Sequence, residues 1–298
     1  MRRDSEPATA VFTGAAGNRL VADVYGAHGP PVLLLHGGGQ TRHSWRETAL
    51  RLVAAGSVAY ALDQRGHGDS DWIPDGSYAF RDFAADAALV ADAVTAPAGE
   101  APVVVGASLG GIAALLAEGA AAQTGRAPIS SALVLVDITP RVDAEGVAKI
   151  QGFMRAHAQN GFASITEAAD AVAAYLPHRP RPRSQEGLRK NLRLDPDGRW
   201  RWHWDPRFLD GPRPVRAGRE EIEAALTDAA RRIRVPAMLV RGTSSELVTE
   251  DHVREFLELV PHAEYMDVAG ARHMVAGDRN DHFSAAILGF LGKLRPAP

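Results

Sequence analysis

The residue most able to do chemistry in this chain is Ser108, in the run V-V-V-G-A-S-L-G-G from Val103 to Gly111. A serine in G-x-S-x-G, between an apolar strand-like run and a helix-like run, fits a nucleophile elbow. The glycines permit a sharp turn that lifts the hydroxyl off the sheet edge. A helix starting at Leu109 would also direct backbone N–H groups and its positive dipole end towards developing negative charge. The plainer alternative is a glycine-rich strand–helix turn, and the strand before and helix after favour the nucleophile.

A serine hydroxyl needs a base at neutral pH. Of the 11 histidines, most fall in helical or polar stretches. His273 is different, because A-G-A-R-H-M follows the last strand-like run and precedes the last helix. A residue leaving the C-terminal end of a parallel strand lies at the edge where such sheets place their sites. The base needs a carboxylate to orient it, and two candidates end strands at that edge. Glu246 lies in R-G-T-S-S-E-L-V (Arg241–Val248), and Asp137 in L-V-L-V-D-I-T-P (Leu133–Pro140). Both satisfy the order Ser, acid, His; Glu246 is preferred and Asp137 stays open as the alternative acid. His36-Gly37-Gly38-Gly39 follows another buried run. There the Gly38 N–H pairs with that of Leu109 as a candidate oxyanion hole, each donor worth about 3–4 kcal/mol in a transition state. His36 itself reads as structural.

These residues need a sheet to carry them. Thr9–Thr13, Arg19–Tyr25, Pro31–Leu35, Val58–Leu62, Pro102–Val105 and Ala132–Val136 read as strands, with helical patterns between the later ones. That rhythm predicts a mostly parallel α/β sheet covered on both faces. It stops after Asp137. From Thr139 to Ile233 the patterns are helical, including a capping-box pair at Ser164 and Glu167, with no convincing buried strand. The rhythm resumes at Ala237–Val240 and runs through Thr249–Val260, Glu264–Val268 and Asn280–Leu294. The expected organisation is a core of residues 1–138 and 234–298 with a helical insertion, residues 139–233, after the sixth strand.

Composition narrows the function classes. The 298 residues carry a formal charge of −3, which gives no electrostatic reason to expect nucleic acid or an anionic membrane as a partner. With no cysteine there is no disulfide, thiolate metal site or cysteine nucleophile. No apolar run follows the two N-terminal arginines or is long enough to span a bilayer, so a cytoplasmic location is the expectation. No cofactor or metal is implied, and the partner expected is a small-molecule substrate. Three of the five tryptophans lie in R-W-R-W-H-W-D-P-R-F (Arg199–Phe208). That segment reads as an amphipathic ribbon holding the insertion down, in preference to an aromatic pocket wall. Trp45 and Trp72 are candidate pocket residues, and the Pro/Arg-rich stretch Pro177–Ser184 reads as a solvated loop.

H-G-G-G at 36–39, D-Q-R-G-H-G-D-S at 63–70, G-A-S-L-G-G at 106–111, and R-G-T-S-S-E-L-V with A-R-H-M near the end resemble the α/β-hydrolase superfamily over nearly the whole chain. Within it the chain resembles the capped serine esterase-like branch, with its carboxylesterases and related lactone or carbon–carbon hydrolases. The resemblance implies an eight-stranded, mostly parallel sheet, a helical cap over the site, and a structural role for Arg65 and His67. Close relatives usually have aspartate in the penultimate-strand loop, where this chain has Glu246. Epoxide hydrolases and haloalkane dehalogenases of this superfamily need an aspartate at the elbow, and Ser108 argues against both. The expected function is a serine hydrolase cleaving carboxylic esters, or lactones or thioesters, of small to medium hydrophobic substrates. The alternatives are a carbon–carbon hydrolase of a ring-cleavage diketone and a ligand-binding member with weak turnover.

Overall fold

The structure, a computed structural model, describes residues 6–179, 185–215, 218–278 and 280–294. The sheet strands of the first half are β1 (Ala8–Thr13), β2 (Arg19–Tyr25), β3 (Pro31–Leu35), β4 (Val58–Leu62), β5 (Val103–Ala107) and β6 (Ala132–Val136). Between them lie α1 (Arg46–Ala54), α2 (Phe80–Ala98) and α3 (Leu109–Gln123). The segment after β6 holds α4 (Ala144–Ala156), α5 (Ile165–Tyr175), α6 (Glu186–Arg189), β7 (Leu192–Leu194), β8 (Trp200–Trp202), α7 (Arg207–Asp210) and α8 (Arg219–Arg232). The chain then returns through β9 (Ala237–Gly242), α9 (Glu250–Leu259), β10 (Glu264–Val268), α10 (Val275–Asp278) and α11 (Asn280–Leu294).

Eight strands form one sheet in the order β1-β2-β4-β3-β5-β6-β9-β10. Only β2 runs against its neighbours; β4, β3, β5, β6, β9 and β10 are mutually parallel. This is the predicted eight-stranded, mostly parallel sheet. In β3 and β6 every residue is buried, as continuous apolar runs require when helices cover both faces. The two-residue period sorts the side chains. Leu33 and Leu35 pack with Phe83, Val90 and Leu115 of α2 and α3 on one face. Val32 and Leu34 pack with Ala49, Leu52, Phe283 and Ile287 of α1 and α11 on the other.

The segment between β6 and β9 is mainly helical, but it also contains an antiparallel pair that the sequence reading did not anticipate. Leu192 pairs with Trp202 and Leu194 with Trp200. Three-residue strands are too short to show an apolar period, so the pattern there carried no signal. Ser164 caps α5 by accepting from the Glu167 N–H at 3.1 Å, while the Glu167 carboxylate takes the N–H of Ala163. The last helix of the segment packs on the sheet domain: a Cβ on Gly119 of α3 would collide with Ala229 of α8. α8 also lends Ile222 and Leu226 to the wall of a cavity. Residues 180–184 of the Pro/Arg-rich stretch lie outside the described residues. Among the described residues no helix is long and apolar enough to cross a membrane.

Candidate active site

Ser108 sits between β5 and α3 with φ 47° and ψ −112°. Positive φ is rare for a residue with a Cβ, and such strain costs on the order of 1–3 kcal/mol. Tight packing holds it there. A Cβ on Gly106 would run into the backbone of Gly110, and one on Gly110 into the carbonyl of Leu35. With both bare, α3 closes onto β3 and β5, and the turn has no room to relax.

The loop after β3 passes beside Ser108. Three of the nearby amides are occupied: Gly37 N–H donates to Gln40 Oε1 (3.0 Å), Gly39 N–H to His67 Nε2 (3.1 Å) and Gly110 N–H to the His36 carbonyl (3.2 Å). The N–H groups of Gly38 and Leu109 have no such partner among the described residues. They are neighbours, since a Cβ on Gly38 would touch Cβ of Leu109. Beneath this loop His36 is fully buried, its Nδ1–H donating to the Gly37 carbonyl (2.8 Å) and its Nε2 accepting from Gln64 N–H (3.1 Å). Burial pulls its pKa down to about 4 and that of His67 to about 3, so both are neutral struts at pH 7. Arg65 pairs with both carboxylate oxygens of Asp86 at 2.6 Å, which locks the turn holding His67.

His273 follows β10, and its Nδ1 lies 2.8 Å from Oδ2 of Asp137. Asp137 is fully buried at the end of β6 with φ 49°. Its Oδ2 also accepts from the Ser245 hydroxyl at 2.5 Å, and its Oδ1 from Gly242 N–H at 3.2 Å. The carboxylate is thereby aimed, with donors on β9 and its following turn. The preference for Glu246 as the orienting acid is corrected by this arrangement: the hydrogen bond to His273 belongs to Asp137. Chain order admits both acids. The short Asp137 side chain reaches because β6 lies directly beside β5, whereas the turn after β9 presents Ser245 to Asp137 and carries Glu246 to the cavity wall. The available signal was the serine beside Glu246, a ready donor to a buried carboxylate.

Ser108, His273, Gly38 and Leu109 all line a cavity of about 570 Å³ roofed by the segment between β6 and β9. Trp45 is in its wall; Trp72 is not among the lining residues and instead lies under the guanidinium of Arg193, 4.2 Å from the ring centre. Aromatic character at Trp72 thus serves cation–π packing. The tryptophan ribbon divides its roles. Trp202 and Trp204 line the cavity. Trp200 stacks under Arg189, and Arg201 between them turns outward to Asp195 and Asp197. Among the described residues no group of three or more His, Asp or Glu is arranged to hold a metal ion.

The family described as serine aminopeptidase, S33, matches residues 28–280. The chain belongs to this family of α/β hydrolases. Its curated relatives include esterase Rv0045c of Mycobacterium tuberculosis, 32% identical over 80% of this α/β hydrolase and 74% of the relative. Another is 2-(acetamidomethylene)succinate hydrolase of Mesorhizobium japonicum, 28% identical over 83% of this chain and 82% of the relative. Among solved structures, E-2-(acetamidomethylene)succinate hydrolase superposes with a TM-score of 0.79 at 24% identity, covering 96% of this chain and all of that one. At that identity the superposition speaks for the fold. The α/β-hydrolase fold and hydrolase class expected from the motifs are thereby established.

Proposed function

We propose that this α/β hydrolase cleaves carboxylic esters through an acyl-enzyme on Ser108. The observation that carries the reading is the strained Ser108, beside two unpaired amides and in one cavity with a histidine whose Nδ1 is held by Asp137. With Nδ1–H donated to Asp137, His273 offers Nε2 as the base. Ser108 gives its proton to Nε2 and attacks the carbonyl carbon, and the N–H groups of Gly38 and Leu109 hold the resulting oxyanion. His273 protonates the leaving alkoxide and the C–O bond breaks. A water molecule, deprotonated by His273, then releases the acid. The segment over the cavity acts as a cap that limits substrates to small or medium size. The apolar lining, with Ile112, Ile138, Val147 and Phe208, favours hydrophobic acyl or alcohol groups. Lactones and thioesters fall within the same chemistry.

The test is hydrolysis of p-nitrophenyl esters of graded chain length by the native protein and by Ser108→Ala. The expected result is turnover of short and medium chains, with kcat/KM at least about 10³-fold lower in the variant. Equal rates in the two proteins would overturn the reading. The second reading, cleavage of a carbon–carbon bond in a ring-cleavage diketone, uses the same groups. A relative named a 2-(acetamidomethylene)succinate hydrolase supports chemistry other than simple ester cleavage on a related chain, and so keeps a second reading beside the first. Diketone cleavage without ester turnover would select it.

A further inference from the structure

Glu246 is left without a task once Asp137 orients His273, yet it lines the cavity. Its Oε2 is closed off from solvent and accepts no hydrogen bond from the described residues. A buried acceptor left unsatisfied is costly, on the order of 1–3 kcal/mol and more when charged. The indole N–H of Trp202, elsewhere in the wall, is also buried and has no acceptor among the described residues. A stacked pair separates the two. Phe153 lies flat on Tyr175 with ring centres 4.1 Å apart, and Trp202 packs against Phe153 at 5.9 Å. Tyr175 is close enough to Glu246 that burial first, and then the Glu246 charge, push its hydroxyl up to about 12. Several other polar groups of the wall are engaged: Gln40 accepts from Gly37, Ser44 donates to the Thr41 carbonyl, and Arg179 pairs with Asp278.

We infer that Glu246 forms a polar subsite in the mainly apolar cavity, selecting substrates with a hydroxyl or secondary amide away from the scissile bond. The group donates its O–H or N–H to the Glu246 carboxylate. A plain alkyl chain leaves that carboxylate unpaired and is disfavoured, as in any site built to pair a polar group. The subsite deepens the ester-cleaving reading and rests on it for the position of the reacting carbonyl.

The experiment compares p-nitrophenyl hexanoate with its 6-hydroxy and 6-acetamido derivatives. Two readouts are used: kcat/KM with an intact Ser108, and dissociation constants on Ser108→Ala proteins, which need no turnover. Each is measured with native Glu246, Glu246→Gln, Glu246→Leu and Trp202→Phe, with circular dichroism as the check on folding. The expected result is a preference of about tenfold for the polar chains with Glu246 present. Glu246→Leu abolishes it, and Glu246→Gln retains part of it because the amide oxygen still accepts. Trp202→Phe, beyond the Phe153–Tyr175 stack, leaves the preference in place. A polar-to-alkyl ratio unchanged in Glu246→Leu, or no preference in the native protein, overturns the subsite. Absence of ester turnover sinks the ester reading alone, because the binding ratios on the Ser108→Ala proteins still decide the subsite.

Discussion

At the scale of single residues, the arrangement separates two carboxylates that chain order alone cannot. Asp137 is buried, accepts two further hydrogen bonds and touches His273; Glu246 faces the cavity. Replacing Asp137 by Asn removes the acceptor that fixes the His273 tautomer. The expected loss is about 10³–10⁴-fold in kcat at unchanged folding. Glu246→Gln is expected to lose far less on alkyl esters and to act through substrate choice. Should Glu246→Gln fall as far as Asp137→Asn, the assignment of the acid to Asp137 is wrong. The conformations of Ser108 and Asp137 make the same point in the backbone. They are the two non-glycine residues with positive φ among the described residues, and they end adjacent strands. Strain of this kind persists where surrounding packing over-determines it, and here it falls on the proposed nucleophile and its acid.

At the scale of elements, the segment after β6 and the histidine loop meet at Asp278, where Arg179 forms an ion pair. Arg179, shortly after α5, reaches Asp278 on α10 and also donates to the Met274 carbonyl at 3.3 Å. The same Asp278 accepts from Arg272 N–H at 2.9 Å, so it holds the loop on both sides of His273. Asp278 is nearly buried, while Arg179 keeps about a quarter of its side chain in solvent, so the contribution is discounted for screening. Arg179→Met is expected to destabilise the protein by about 1 kcal/mol, read as a lower urea midpoint at unchanged slope. Cleavage by trypsin or chymotrypsin within residues 139–215 should precede cleavage of the sheet domain more clearly in the variant than in the native protein. A variant with native midpoint and native cleavage pattern would show that the pair ties nothing down. The packing of α8 on α3 anchors the far end of the segment to the sheet domain.

At the scale of the whole molecule, the buried histidines set an acid limit. His36 and His67 have pKa values pulled down to about 4 and about 3, against about 6.5 when unfolded. Between about pH 6.5 and pH 4 the unfolded chain therefore binds protons that the folded chain does not, and stability falls as pH falls. The urea midpoint should be lower at pH 5 than at pH 7, and His67→Asn should weaken that dependence. An equal pH slope in the variant would remove His67 from the account.

Much of this architecture was already legible in the residues. Apolar runs such as Leu33–Leu35 and Val134–Val136 can satisfy their backbones and bury both faces only as inner parallel strands, so the sheet and its order of elements follow from local pattern. The glycines around Ser108 and after His36 likewise announce an elbow and a close loop, because only bare backbone fits there. The hairpin of β7 and β8 was not legible, being too short to have a period, nor was the return of α8 to the sheet. The choice between Asp137 and Glu246 was decided only by tertiary structure. Both residues end strands at the same edge, and which one meets His273 depends on strand adjacency and on a turn that sends Ser245 inward and Glu246 to the cavity. Those are distances between segments more than a hundred residues apart, and no local pattern encodes them.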